Sequence, residues 1–291
     1  MGTLIKKHHI LISLFIVCLY LMVGGWKIYS NSKEQVQVIT AAEEADRQQI
    51  VYFWDLFNEA TDRRVQGDYE SAIEKYSAAL SLNSEHEDAL YYLGNMHLFQ
   101  RNFEKTEVYF KKLEKLNPNS PRTQLQLGTL YSCMDSSNQL YDLDGAYARF
   151  LNAWNLNREE TGAPLMLAKI YLLQEDYENA GELIRAITLS NKMSYQALFL
   201  QGYLEWKLGE GAASEKIASD ARNLYLSLAY TDVQGEGATA AGARAMLSDD
   251  RFCDRFETII QELLSYPNTR DLNQLYRQLY TSIKLWQKNE F

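Results

Sequence analysis

The stretch Glu87–Ser120, EDALYYLGNMHLFQRNFEKTEVYFKKLEKLNPNS, decides how the rest of the chain is read. Leu90, Leu93 and Gly94 form an apolar stripe at helical spacing, and Gln100–Asn102 breaks it. A second amphipathic run carries Phe103, Val108, Phe110, Leu113 and Leu116. Asn117-Pro118 stops it, because proline cannot continue a helix. This pattern predicts two short helices joined by a tight turn. One such hairpin cannot bury its apolar face alone, so stability demands further copies stacked on it.

Those copies are present. Gly67–Ser84 (GDYESAIEKYSAALSLNS) lies about 34 residues upstream of Arg101–Pro118, with Tyr69 matching Phe103 and Tyr76 matching Phe110. Leu127-Gly128 follows Leu93-Gly94 by about the same interval, Leu167-Ala168 continues the series, and Gly202 lies about 34 residues beyond Ala168. An L-G pair, an aromatic at the turn, a small residue, a second aromatic and a terminal Pro at this period resemble the tetratricopeptide repeat family over residues 53–228. There are departures. Leu90, His97 and Thr106 stand where Trp, Tyr and Ala are usual, and the third unit carries roughly six extra residues around Asp135–Tyr141. The fifth unit puts Ser214 and Ala218 where Ala and an aromatic are usual. The resemblance implies an all-α chain: a TPR-type α-solenoid of about five helix-turn-helix repeats. A C-terminal helical cap and a single preceding transmembrane helix complete the expected architecture.

Read in order, the chain opens with a short head, and Ile10–Trp26 (ILISLFIVCLYLMVGGW) holds no acid, Lys or Arg. That run is close to the length needed to cross a hydrocarbon core of about 30 Å. An uncleaved signal anchor is expected over residues 1–30, with residues 8–26 in the membrane. The rival is a cleaved signal peptide, for which Val23-Gly24-Gly25 is the nearest approach to a cleavage site. Lys6 and Lys7 precede the span while Lys27 and Lys33 follow it, a small bias toward a cytoplasmic N-terminus. The repeats are then expected in the periplasm of a bacterium, at its inner membrane. Residues 31–52 read as a helical stalk, turning apolar and aromatic over Gln49–Phe57. The solenoid occupies 53–228, a Gly-rich break 229–242, and a C-terminal helical module 243–291, read as a cap on the last repeat or as a separate docking surface.

Composition excludes several functions. The formal net charge of the 291 residues is -9 and no basic stripe runs along a helix, which argues against nucleic acid as partner. No HExxH, GxSxG, GxxxxGK[ST] or paired Cys motif occurs, so no catalytic, cofactor or metal site is expected. His97 reads as a packing substitute for Tyr. The three cysteines, Cys18, Cys133 and Cys253, make no disulfide framework and are expected unpaired. An oxidising compartment would allow a Cys133–Cys253 bridge.

In the family resembled, the first helix of each unit lines a concave binding surface. Helical spacing then places Trp54, Phe57, Thr61 and Arg64 on it from the first unit, and Asp88, Tyr91, Asn95 and Leu98 from the second. The third contributes Arg122, Leu125, Thr129 and Ser132, the fourth Leu165, Lys169 and Leu172, and the fifth Gln196, Phe199, Tyr203 and Trp206. This aromatic and aliphatic lining suits a protein or peptide partner with apolar anchors. A clamp for a terminal carboxylate is not expected, since Tyr91 and Gln126 stand where further clamp residues would be. Alternatively the Asp135–Tyr141 insertion or the C-terminal helices cover part of the groove, and an exposed apolar groove also favours self-association. The expected function is a membrane-anchored scaffold assisting assembly of an envelope complex or maturation of a periplasmic enzyme. Two rivals are a periplasmic chaperone holding exported clients and an accessory subunit of a membrane enzyme, secretion or pilus complex.

Overall fold

A computed structural model describes residues 2–209, 211–234, 253–265 and 272–288. The chain divides into two units, Met1–Asp55 and Leu56–Phe291. The described residues form twelve helices and no strand: α1 (Gly2–Val65), α2 (Tyr69–Leu82), α3 (Glu87–Phe99), α4 (Phe103–Leu116), α5 (Pro121–Ser132), α6 (Leu143–Leu156), α7 (Gly162–Leu173), α8 (Tyr177–Ser190), α9 (Tyr195–Lys207), α10 (Gly211–Gln234), α11 (Arg255–Ser265) and α12 (Leu272–Trp286).

The first unit is helical throughout its described residues. Most of the expected span at Ile10–Trp26 falls on residues whose side chains lie outside the described set. Among the described residues no helix is long and apolar enough to cross a membrane. Of the apolar stretch at Gln49–Phe57, Phe53 and Leu56 are buried while Ile50, Val51 and Trp54 are exposed.

The second unit is the solenoid. Its hairpins pair α3 with α4, α5 with α6, α7 with α8 and α9 with α10, and the last turns of α1 join α2 through Phe57, Ala60, Ala72 and Tyr76. Local sequence explains where the helices begin. Asp68, Asn102, Asp142 and Asp176 cap the second helices, each side chain accepting a hydrogen bond from the backbone N–H three residues on. Such a cap contributes about 1 kcal/mol to its helix. Within a hairpin, α3 packs so closely on α4 that a Cβ on Gly94 would lie 2.5 Å from a ring carbon of Phe110. A larger residue there would have to displace a fully buried ring.

In four of the hairpins one turn residue has positive φ. Gly67 (φ +82) and Gly209 (φ +86) supply it cheaply, but Arg101 (φ +58) and Glu175 (φ +59) occupy the same turn position in their units. A left-handed L-residue costs roughly 1–2 kcal/mol. What these two side chains do instead is to reach the C-terminal part of the chain, as described below.

That C-terminal part corrects two expectations. Helix α10 runs on to Gln234, so residues 229–234 of the expected break are helical, and the remainder of the break, with the helix expected at Ala243–Leu247, lies outside the described residues. Secondly, Cys133 and Cys253 are not free thiols. They are joined by a disulfide, their Cα atoms 4.9 Å apart across a sequence separation of 120. The insertion after α5 makes this possible: Asn138 Nδ2 donates to the carbonyls of Leu130 and Cys133, both at 3.0 Å, fixing the chain end that presents Cys133. In the chain-entropy account, closing a loop of this length stabilises the fold by about 4–5 kcal/mol.

Candidate interaction surface

First helices α3 and α5 present one open patch. Arg122 on α5 pairs with Asp88 on α3 at 2.9 Å, with 45% and 54% of their side chains exposed. The Arg122 guanidinium lies over the Tyr91 ring, 3.2 Å from its centroid. Gln126 Nε2 donates to Tyr91 Oη at 3.2 Å, fixing the ring from behind. Burial opposes charge on Arg122, but its contacts with Tyr91 and Asp88 outweigh that and hold its pKa above the ordinary value. Next to this group Arg64 stacks over Tyr92 at 4.5 Å, and Phe57 meets Tyr76 and His86 edge to face. The patch offers cationic groups over aromatic faces, an exposed carboxylate and half-buried apolar rings. Such a set can make charge-assisted, cation–π and apolar contacts.

First helices α7 and α9 are covered instead. Lys169, 3% exposed, donates to Asp254 and to Gln196 Oε1, the latter at 2.7 Å. Tyr195 Oη donates to Glu257 Oε1 at 3.1 Å and accepts from Gln261 Nε2 at 3.0 Å. Burial raises the Glu257 carboxyl above its ordinary pKa and Asp254 adds to this, while Lys169 opposes it. From α12, the Tyr276 ring packs on Phe199, Tyr203 and Trp206 with centroids 5.1, 6.4 and 6.3 Å apart. Gln287 Nε2 donates to the Leu173 carbonyl at 2.6 Å, and Lys284 pairs with Glu175.

The expected lining therefore separates. Asp88 and Arg122 are exposed, and Phe57, Arg64, Tyr91, Leu125 and Thr129 are half-buried. Asn95, Leu98, Lys169, Phe199 and Tyr203 are buried, and Trp206 is half-buried against Tyr276 and Tyr280. These are corrections to their placement. Leu98 turns into the cluster with Phe103 and the disulfide, and Asn95 donates back to the Tyr91 carbonyl at 2.9 Å. Lys169, Phe199 and Tyr203 lie under α11 and α12 and the residues that lead into them. Burial also pushes the Tyr203 hydroxyl well above the usual phenol range. Sequence reading missed Tyr92, Asp254, Glu257 and Tyr276. The helical spacing of Phe256, Ile259, Ile260 and Leu263 did show that α11 had an apolar face to bury.

Among the described residues no group of His, Cys, Asp and Glu could hold a metal ion. Residues 63–100 match a model described as TPR repeat, and residues 165–230 match one described as tetratricopeptide repeat. A DnaJ homolog subfamily C member 7 homolog of Schizosaccharomyces pombe is 26% identical over 156 residues, half of this chain. The chain covers only 33% of that relative's length. Among solved structures, PilW, a type IV pilus biogenesis factor, superposes with a TM-score of 0.52 at 14% identity, covering 77% of this chain and 97% of PilW. A tetratricopeptide repeat protein from Parabacteroides merdae gives 0.50 at 17% identity, covering 82% of this chain and 84% of its own. At these identities the likeness bears on fold. The described residues accordingly form a helical solenoid with the fold of tetratricopeptide repeat proteins, and residues 63–100 and 165–230 match models of that repeat.

Proposed function

We propose that this protein is a scaffold that holds a segment of a partner protein on the open patch of α3 and α5, centred on Asp88, Tyr91 and Arg122. Repeats of this type bind protein or peptide partners. The observation that carries the reading is the Arg122 guanidinium stacked on Tyr91 with nearly half its side chain in solvent, on the face that repeats present to ligands. Arg and Tyr are the residue types that most often anchor interfaces. Fixed by an aromatic face and a carboxylate, Arg122 loses little freedom when a partner's carboxylate or carbonyl reaches it.

In this proposal residues 8–26 anchor the protein in a bacterial inner membrane and the repeats face the periplasm, where they assist assembly of an envelope complex or maturation of an enzyme. The Cys133–Cys253 disulfide supports an oxidising compartment, since such bonds are rare in the reducing cytosol. The test is affinity capture from gently solubilised membranes with the full chain, a form lacking Met1–Tyr29, and full-length Arg122→Glu with Tyr91→Ala. One stoichiometric partner, kept without the N-terminal segment and lost in the variant at unchanged helix content, is the expected result. Retention by the variant would remove the patch from recognition. A broad set of unrelated exported proteins would make the molecule a transient holder of clients rather than a scaffold.

A further inference from the structure

The residues leading into α11 are fastened to the repeats by unlike bonds at successive positions. Cys253 is bonded to Cys133, Asp254 to the buried Lys169, and the Arg255 Nε donates to the Met134 carbonyl at 3.2 Å. The segment crosses from the insertion of the third unit to the first helices of the fourth and fifth.

Its attachment is locally strained. Among the described residues the non-glycine positions with positive φ are Arg101, Glu175 and Cys253. Arg101 pairs with Asp135 at 3.6 Å and donates to the Cys253 sulfur. Glu175 holds Lys284 of α12. Cys253 is itself part of the strap. Each of these residues thus adopts a costly backbone where the C-terminal part is held. The charges are also uneven: Asp254 and Glu257, one helical turn apart, face one lysine and the neutral groups Gln196, Tyr195 and Gln261. A segment selected only to fill space would not bring a surplus carboxylate into a buried site.

We propose that residues 253–265 are a built-in occupant of the inner face, held there by the Cys133–Cys253 bond, and that reduction lets them be displaced by a partner's amphipathic helix carrying two acidic residues one turn apart. The site left by Asp254 and Glu257 comprises Lys169 from the fourth unit with Gln196 and Tyr195 from the fifth. A helix with the same acidic spacing restores the ion pair and the tyrosine hydrogen bond, and its apolar face replaces Phe256 and Ile260. Such an exchange conserves the buried area. The covalent strap is what favours the internal helix.

Opening the strap requires a dithiol. One of its thiolates attacks Cys253 Sγ, in the residue 5% exposed, whereas Cys133 is fully buried. Cys133 leaves as thiolate and takes a proton. The second dithiol sulfur then displaces Cys253, which also ends as a thiol. The dithiol is oxidised to its own disulfide, and its two electrons and two protons reside on the two cysteines.

This inference rests on the first-helix face being a docking surface. Its test uses the full chain and a labelled peptide of residues 253–265 carrying Cys253→Ser. Anisotropy should show the peptide binding the dithiothreitol-reduced chain at least tenfold more tightly than the oxidised chain, with helical circular dichroism retained in both. The Cys133→Ser chain should bind as the reduced chain does, without reductant. The same peptide with Asp254→Lys and Glu257→Lys should lose the binding. Equal binding to both redox states, equal binding of the charge-reversed peptide, or loss of helix on reduction would each overturn the proposal. If it fails while Arg122→Glu still abolishes partner capture, the open-patch reading stands by itself.

Discussion

Asp88 and Arg122 pair between neighbouring repeats with about half of each side chain in solvent, whereas Lys169 and Asp254 make the same kind of pair with 4% and 12% of theirs exposed. Both pairs use a residue of a first helix, on the face that repeats offer to a ligand. They differ in where the second member comes from. Arg122 meets a residue of the adjacent repeat, and both remain about half exposed. Lys169 meets a residue that arrives from far along the chain and brings α11 and α12 over it. The same face of one solenoid is thus surface at one end and core at the other. Energetically the two ends follow different rules: an exposed pair is worth roughly 0–1 kcal/mol, while removing one member of a buried pair costs about 3–5 kcal/mol, because the remaining charge is stranded.

Tyr203→Ala should have the largest effect, about 4 kcal/mol by urea unfolding, because it empties a fully buried ring site against Tyr276 and Trp206. A loss below about 1 kcal/mol would mean that α12 does not cover α9 in solution. Asp254→Asn should follow at about 3 kcal/mol, and pairing Lys169→Met with Asp254→Leu should recover most of that, since a buried ion pair can be replaced by apolar groups at little cost. If the double variant is as unstable as the single one, the pair contributes through something other than stranded charge.

Acid should act on the two ends in opposite senses. His97, stacked on Tyr109 between α3 and α4, has its pKa lowered to about 4 by burial and then by Lys105. Between pH 6.5 and 4 the unfolded chain binds a proton that the fold refuses, so this end loses stability as pH falls, by about 1–2 kcal/mol after solvent screening. Glu257 has a raised carboxyl pKa. Its contribution is present below the ordinary carboxylate range and is lost as pH rises through the folded value. Unfolding free energies across pH for the parent, His97→Phe and Glu257→Gln check this. His97→Phe should flatten the acid-side loss, and Glu257→Gln should remove the loss on the other side. Parallel parent and His97→Phe curves between pH 4 and 6.5 would sink the assignment.

How much of this was written in the sequence follows from the range of each interaction. The repeat period is local and was found from Glu87–Ser120, whereas the caps at Asp68, Asn102, Asp142 and Asp176, equally local, were written in the sequence but went unread. On α3 and α5 helical spacing is local too, and among the described residues Asp88 and Arg122 are exposed and Tyr91 is half-buried. The expected facing failed for Lys169, Phe199 and Tyr203, whose spacing is the same but whose environment is set by residues from 253 onward. A period shows which side of a helix is apolar. It does not show which apolar stripe a later helix will occupy. The disulfide illustrates the same limit, since two cysteines separated by 120 residues carry no signal of proximity until the insertion and the strap are placed. Helical spacing within α11 showed that it must bury a face, but not that Asp254 and Glu257 would bring their charges with it.

The smallest effect on stability is expected at the open end, and it is the one that best tests the comparison. Asp88→Asn removes a partner that water can replace, so unfolding should shift by less than about 1 kcal/mol. Arg122 remains over Tyr91, where a cation on an exposed ring is worth about 0.5–1 kcal/mol. Partner capture should respond differently, because losing the carboxylate frees the guanidinium to turn and a docked segment must then order it again. A change that leaves melting still but weakens capture identifies a surface. Should Asp88→Asn instead destabilise the fold as much as Asp254→Asn does, something covers α3 and α5 as well. The patch would then be a second covered site rather than an open one.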